Sequence, residues 1–314
     1  MRKTTLLVGV VAGLALALLA VVGSGGGTAL ADGGPHVSSV GDATPDKCAG
    51  CHRIHTAQTD TLLKSSSTEA DFCYTCHGTA GTGSNLSVQN GTYYGTHDRT
   101  APNNSVGLRA GGFDAARINT TDPGYETIGV LAAPQPVTSW HTNDGTTVGT
   151  LWGNGVLNSG AGPSYTLQCT SCHDPHGNGQ YRILRPIPDG SGAAAVNVPD
   201  EADPKVYTTT NYFSTGPVSG GLMSRWCATC HTRYLATSTG NSGDAVFKYR
   251  HVSDGSSGRT CIKCHAAHGT NAGATGTYSS AVGYPGGGGT TNTAESRLLK
   301  MDNRGICVKC HTDK

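Results

Sequence analysis

The chain has 314 residues, of which 46 are glycine, 6% are aromatic and only 14% are charged. A glycine-rich chain loses much conformational entropy on folding, and one with so few aromatic side chains buries too little apolar area to offset that loss. The composition therefore excludes an ordinary hydrophobic core. Lys and Arg number 22 against 21 Asp and Glu, and no basic stripe is present, so nothing indicates nucleic acid as a partner.

The first segment predicts a cleaved secretion signal. Two basic residues precede the apolar run Leu6–Val22, and Ala29–Ala31 has the small-residue pattern of a cleavage site. We expect residues 1–31 to be removed and residues 32–314 to form a single unit. The alternative is an uncleaved anchor, but the run is at the lower limit for spanning a bilayer. No other run is long enough, so we expect no membrane span after cleavage.

The 12 cysteines fall into six Cys-x-x-Cys pairs, and a histidine follows each pair at once. The cysteines are Cys48, Cys51, Cys73, Cys76, Cys169, Cys172, Cys227, Cys230, Cys261, Cys264, Cys307 and Cys310. The histidines are His52, His77, His173, His231, His265 and His311. This pattern is the attachment signature of c-type haem.

The spacing has a physical reason. Two thiols three residues apart lie on one side of a helical turn, where they can reach the two vinyl groups of one porphyrin, and the next residue presents its imidazole to the iron. A zinc site or a disulfide framework would not require a histidine after every pair. We therefore expect six covalent haem c groups, numbered by motif from first to sixth.

Seven further histidines can supply the second axial ligand. They are His36, His55, His97, His141, His176, His251 and His268. Six haems need six such ligands, and His97, which lies near no motif, is our candidate for the surplus one. The sequence thus predicts bis-histidine ligation throughout. Because an iron with two imidazoles has no open face, we expect an electron carrier and not an enzyme.

Three motifs carry a second histidine three residues after the first, and they alternate with three plain motifs. The pairs are His52/His55, His173/His176 and His265/His268. Residues i and i+3 share one helix face, whereas axial ligands approach an iron from opposite sides. Each second histidine must therefore serve a haem of another motif. The motif starts lie 25, 96, 58, 34 and 46 residues apart, so no fixed-period solenoid is expected.

Glycine and proline interrupt the whole chain. The sequence predicts mostly irregular coil, with short helical turns at the motifs, a few short strands, and the haems as the core. The strand candidates are Tyr93-Tyr94, Val148–Leu151 and Val206–Thr210. Trp140 and Trp226 lie beside haem-linked residues, and we expect them to pack on porphyrin faces.

Taken together, the motif contexts resemble those of the filament-forming, outer-surface hexahaem c-type cytochromes of metal-reducing bacteria. The segments that carry the resemblance are Cys48–His55, Cys73–His77, Cys169–Gly177, Met223–Thr232, Cys261–His268 and Cys307–His311, with His36 near the chain start. The resemblance implies bis-histidine ligation and head-to-tail polymerisation into extracellular filaments. The position that matches the family's inter-subunit ligand is His55, which would ligate the haem on Cys261 and Cys264 of the adjacent subunit.

We therefore expect a secreted, polymerising electron conduit at the cell surface, with redox proteins or extracellular electron acceptors as partners. Two alternatives stay open at this point. One is a soluble periplasmic electron shuttle with the same haems, and the other is a multihaem reductase with one open haem.

Overall fold

A computed structural model of the chain describes residues 36, 45–65, 68–95, 99, 106–118, 130–151, 163–189, 191–200, 221–232, 251–254, 256, 259–273, 282–283, 290–291, 298–302, 305–308 and 311. The predicted signal segment 1–31, His97, Cys310 and the strand candidate Val206–Thr210 lie outside these residues. Of Cys307, only the backbone is described.

Each motif begins on or within a short α-helix. The helices are α1 Pro45–Cys51, α2 Glu69–His77, α3 Cys169–Cys172, α4 Leu222–Cys227, α5 Cys261–Cys264 and α6 Gly305–Val308. The second of these, α2, is capped by Thr68, whose hydroxyl accepts the Asp71 N–H at 3.1 Å. Helices this short are unstable alone in water, so tertiary contacts must hold them.

The strands of the described chain are also short, and all pair antiparallel. They are β1 Leu86–Ser87, β2 Thr92–Tyr93, β3 Val106–Gly107, β4 Ala115–Ile118, β5 Val130–Pro136, β6 Ser139–Trp140, β7 Val148–Thr150, β8 Ser164–Thr166, β9 Gly269–Thr270, β10 Val282–Gly283 and β11 Thr290–Thr291. One sheet has the order β1-β2-β3, and the rest are the pairs β4-β5, β6-β9, β7-β8 and β10-β11.

This architecture confirms the predicted fold class of coil with short helices and strands. Two strand candidates are confirmed near their predicted places, since β2 includes Tyr93 and β7 begins at Val148. The pairing of β6 with β9 joins two segments that are far apart in sequence, with Ser139 opposite Thr270 and Trp140 opposite Gly269. It therefore brings the regions of two separate motifs together.

Apolar packing within the described residues is confined to small clusters. Ile118, Met301 and Ile306 form one, and Leu184, Val198 and Met223 form another. Neither is large enough to organise a chain of this length, as the composition predicts. No helix in the described part of the chain is long and apolar enough to cross a membrane.

Candidate functional site

The described cysteine pairs lie on one helical turn each, which brings both sulfurs to one side. Cys48 and Cys51 are on α1, Cys73 and Cys76 on α2, Cys169 and Cys172 on α3, Cys227 and Cys230 at the end of α4, and Cys261 and Cys264 on α5. Cys48 is exposed, whereas the other described cysteines are half-buried. The first motif therefore lies nearer the surface than the following four.

Five of the proximal histidines face a second histidine ring from another part of the described chain. The facing pairs, with the distance between ring centroids, are His36–His77 at 6.1 Å, His52–His176 at 6.3 Å, His173–His268 at 6.3 Å, His141–His231 at 6.1 Å and His251–His311 at 6.1 Å. These distances are nearly constant although the interplanar angles range from 9° to 69°.

The constant separation fits one metal ion between the two rings of each pair. Metal–imidazole bonds are about 2 Å long, and a ring nitrogen lies about 1 Å from its ring centroid, so two histidines on one ion have centroids about 6 Å apart. Variation in ring angle is compatible with this arrangement, because axial imidazoles can rotate about their bonds to the metal.

Hydrogen bonds to the main chain fix which ring nitrogen can bind a metal. The Nδ1 atoms bond backbone carbonyl oxygens in the pairs His36–Pro175 at 2.6 Å, His52–Thr61 at 3.1 Å, His141–Ala267 at 2.7 Å and His173–Arg182 at 2.9 Å. A carbonyl oxygen only accepts, so Nδ1 must carry the hydrogen. The Nε2 lone pair of each ring is thereby left for a metal.

Burial keeps several of these rings neutral. It lowers the pKa of His268 to about 3 and that of His231 to about 4, with a smaller contribution from neighbouring histidines. Burial also lowers the pKa of His141 and of His173. Neutral imidazole is the form that coordinates iron, so these rings are ready to act as ligands near neutral pH.

The second histidines face rings of other motifs. His176 lies opposite His52 of the first motif, while His173, in its own motif, lies opposite His268 of the fifth. His268 is also stacked on Phe113, with ring centroids 4.6 Å apart. His55 is exposed, and the neighbouring Ile54 side chain is 81% exposed.

A local structure that sequence reasoning missed recurs at the first, third and fifth motifs. In each, the proximal histidine forms an isolated antiparallel bridge with a leucine: His52 with Leu63, His173 with Leu184 and His265 with Leu299. The preceding residue always has a left-handed backbone: φ is 61° at Leu62, 53° at Ile183 and 63° at Leu298. Its carbonyl accepts the N–H of the residue after the histidine, at 2.7–2.8 Å.

The missed signal is a tripeptide of two aliphatic residues followed by a basic one. It occurs as Leu62–Lys64, Ile183–Arg185 and Leu298–Lys300. The N–H of each basic residue donates to the carbonyl of the motif's second cysteine, at 2.8–3.0 Å. A left-handed Leu or Ile is sterically unfavourable, so neither propensity nor spacing would predict this turn. Only a comparison of the three segments reveals it.

The two tryptophans have different surroundings. Trp226 donates its indole N–H to the Arg185 carbonyl oxygen at 2.7 Å and so ties the fourth motif to the third. Trp140 directly precedes His141 and is 48% exposed. Their expected packing on porphyrin faces stays a prediction.

The chemistry of this donor set fits covalently attached haem. The cysteine pairs would hold one porphyrin through two thiols, and the facing histidine rings would ligate its iron. Haem held by these residues would supply one-electron transfer, and the chain's own groups would set its orientation and environment.

Comparison with known proteins supports this assignment. Residues 41–82 match a family model described as a doubled CXXCH motif. The chain is 26% identical over 250 residues to C-type cytochrome OmcS of Geobacter sulfurreducens, a match that covers 59% of this chain and 55% of that protein. The chain thus spans about half the length of the curated relative it matches.

One solved structure is also similar, the Outer Membrane Cytochrome S Filament from Geobacter sulfurreducens. The match has 17% identity and a TM-score of 0.37, and covers 85% of this chain and 98% of that chain. The doubled motif and the sequence match make the chain similar to multihaem c-type cytochromes and support covalent attachment of haem. Within that class, the chain is similar to OmcS.

Proposed function

We propose that the chain is an electron-transfer protein that carries six bis-histidine c-type haems, one on each of its Cys-x-x-Cys-His motifs. Its mature form comprises residues 32–314, released outside the cytoplasm by removal of the signal segment 1–31. The observation that carries the proposal is the set of five facing histidine pairs at about the same separation in the described chain.

The pairs support a distal-ligand assignment for five of the proposed haems. The first haem takes His176, the second His36, the third His268, the fourth His141 and the sixth His251. An iron held from both sides by imidazole exchanges electrons but binds no substrate. This ligand set supports a carrier and not a reductase.

The assignments follow a rule among the odd-numbered motifs. The haem of the first motif takes the second histidine of the third motif, His176, and the haem of the third takes that of the fifth, His268. Each of these distal ligands therefore belongs to the motif that lies two motifs after the one that carries the haem. The same rule gives the fifth haem the second histidine of a seventh motif, which in a head-to-tail polymer is His55 of the next copy.

A second regularity supports the same junction. The residue before the second histidine uses its carbonyl to orient the distal ligand of the preceding even-numbered haem. Pro175 does so for His36 of the second haem, and Ala267 for His141 of the fourth. The equivalent residue of the first motif is Ile54, and the distal ligand of the sixth haem is His251. In a polymer, the Ile54 carbonyl would orient His251 of the preceding copy.

Both rules lead to the same assembly, a filament in which the first motif of one copy completes the haem sites of another. Such a filament would conduct electrons over many haems, outside the cell, to redox proteins or extracellular acceptors. The exposure of His55 and Ile54 is compatible with this role, because both must reach a second copy.

Three single variants of the secreted holoprotein test the proposal, with negative-stain microscopy for assembly and carbon monoxide difference spectra of the reduced protein for open haems. His55→Ala should give monomers with one CO-reactive haem per chain. His176→Ala should also give one CO-reactive haem per chain but leave the filaments intact. His97→Ala, at the surplus histidine, should change neither property.

Filaments with a wild-type spectrum in His55→Ala would refute the ligand between subunits. A wild-type protein that is monomeric and unreactive to carbon monoxide would instead be the soluble shuttle. Stoichiometric CO binding in wild-type filaments would contradict bis-histidine ligation and favour a reductase.

A further inference from the structure

A carboxylate from the second motif's helix reaches the third motif's helix, about a hundred residues away in sequence. Glu69, the first residue of α2, accepts the Thr170 backbone N–H with one oxygen and the Thr170 hydroxyl with the other, both at 2.7 Å. Thr170 is the second residue of α3, where backbone N–H groups have no partner within the helix. The contact therefore satisfies an otherwise unpaired donor and joins two motifs.

The fourth and fifth motifs are joined in a similar way. The Ser224 hydroxyl on α4 accepts the N–H of Cys261, the first residue of α5, at 3.0 Å. The Ser224 side chain is fully buried, so water cannot replace this bond. Two different side chains thus have the same role, since each accepts a backbone N–H from the first turn of the next motif's helix.

Both contacts bring the first cysteines of the joined motifs together. The ligand atoms of Glu69, Cys73 and Cys169 all lie within 4.8 Å of one another. The sulfurs of Cys73 and Cys169 lie close enough to interact electrostatically, as do those of Cys227 and Cys261. These sulfurs are porphyrin attachment points, so their mutual position constrains two neighbouring haems.

We propose that Glu69 and Ser224 are positioning residues, which fix the placement of the second haem against the third and of the fourth against the fifth. This inference rests on the proposed haem attachment. The rate of electron transfer between cofactors depends steeply on their separation. Contacts that fix the haem attachment points therefore affect this rate directly.

Exciton coupling in the Soret region of the circular dichroism spectrum tests the proposal, because it depends on the distance and angle between neighbouring haems. In the full-length holoprotein, Glu69→Ala and Ser224→Ala should each reduce the amplitude of the two-signed Soret signal. The control is Asp71→Ala, which removes an exposed carboxylate from the same turn of α2 and should keep the wild-type amplitude. Asp71 contacts Thr68 and is not a partner of Thr170.

Two further variants separate positioning from general loss of folding. Glu69→Gln retains an oxygen that can accept the Thr170 N–H, and should restore part of the amplitude. Thr170→Val removes only the hydroxyl, so it should lower the amplitude in wild type. In the Glu69→Ala background, Thr170→Val should lower the Soret amplitude no further, since the Glu69 carboxylate that binds the hydroxyl is already gone.

Haem content, measured by the pyridine haemochrome assay, is the separate readout. A wild-type Soret signal in Glu69→Ala and Ser224→Ala, with full haem content, would overturn the positioning role while leaving the proposed function intact. A wild-type chain that carries no covalent haem would instead overturn the proposed function.

Discussion

Four of the candidate axial ligands are oriented by the backbone and not by side chains. His36, His52, His141 and His173 each bond a main-chain carbonyl through Nδ1. His77 is different, because its Nδ1 is paired with the Ser84 hydroxyl at 3.1 Å. A carbonyl partner cannot be lost by a side-chain substitution, so these ligands depend on the backbone turns that carry the carbonyls.

Those turns include left-handed residues that are not glycine, and this strain can be measured. A left-handed L-residue costs about 1–2 kcal/mol, and glycine costs about 0.5–1 kcal/mol in chain entropy. Leu62 has φ 61° and is 46% exposed. We therefore expect Leu62→Gly to raise the free energy of unfolding of the holoprotein by up to about 1 kcal/mol, as measured by urea denaturation.

The adjacent Leu63 is the matched control. It forms the bridge to His52 and has no left-handed backbone. Leu63→Gly should lower the free energy of unfolding, because it loses packing and relieves no strain. If both glycine variants are destabilising to the same extent, the strain at Leu62 is negligible.

At the scale of elements, short strand pairs bring distant histidines to the haem sites. His141 directly follows β6 and His268 directly precedes β9, so the pairing of β6 with β9 carries both rings. The turn between β3 and β4 contacts the start of β9, because the backbone N–H of His268 donates to the Ala110 carbonyl at 2.8 Å.

Gly111 allows this close approach. Its φ is 73°, and a Cβ there would overlap the Gly269 carbonyl oxygen. We expect Gly111→Ala to lower the free energy of unfolding by about 2–4 kcal/mol and to displace His268, which would open the third haem to carbon monoxide. Thermal unfolding and CO difference spectra measure the two effects.

Gly192 offers a control, because its φ is 62° but nothing lies within 4 Å of a Cβ placed there. Gly192→Ala should show only the backbone cost of about 1–2 kcal/mol and no CO binding. Equal CO binding in both variants would mean that crowding at Gly269 does not position His268.

The sequence alone predicts the motifs, the coil-rich fold and the need for each second histidine to serve another motif. It does not predict which histidine faces which. The segments that decide this, such as Ser139-Trp140 against Gly269-Thr270, are two residues long and show no alternation of apolar and polar residues. The stacking of Phe113 on His268 is equally unpredictable, because it depends on the glycine-permitted approach of two loops.

At the scale of the whole molecule, the proposed arrangement consists of repeated two-haem units whose junctions are alike. The third and fifth motifs each place their second histidine opposite a histidine of an earlier motif, and each has a carbonyl bonded to another histidine. The first motif has the same residues, and both His55 and Ile54 are exposed. This exposure is why we place the contact between copies at the first motif.

Ile54 belongs to the first motif region, and its side chain is 81% exposed. Ile54→Asp should block filament formation by burying a charge between copies, while haem content and the unfolding free energy of the monomer stay near wild type. Val148→Asp is the control, because Val148 is 64% exposed on β7 and does not belong to the first motif. Size-exclusion chromatography and microscopy measure the outcome. Equal filament yields from the two variants would exclude Ile54 from the interface.

In the proposed filament, the advance of ligands by two motifs would give two unlike tips. At one tip, His55 of the terminal copy would have no neighbour to ligate, and at the other the fifth haem would receive no ligand from a following copy. We therefore expect one CO-reactive haem per filament, whatever its length. The amount of carbon monoxide bound per total haem would then fall as filaments grow and rise when they are sheared. This ratio provides a spectroscopic measure of mean filament length.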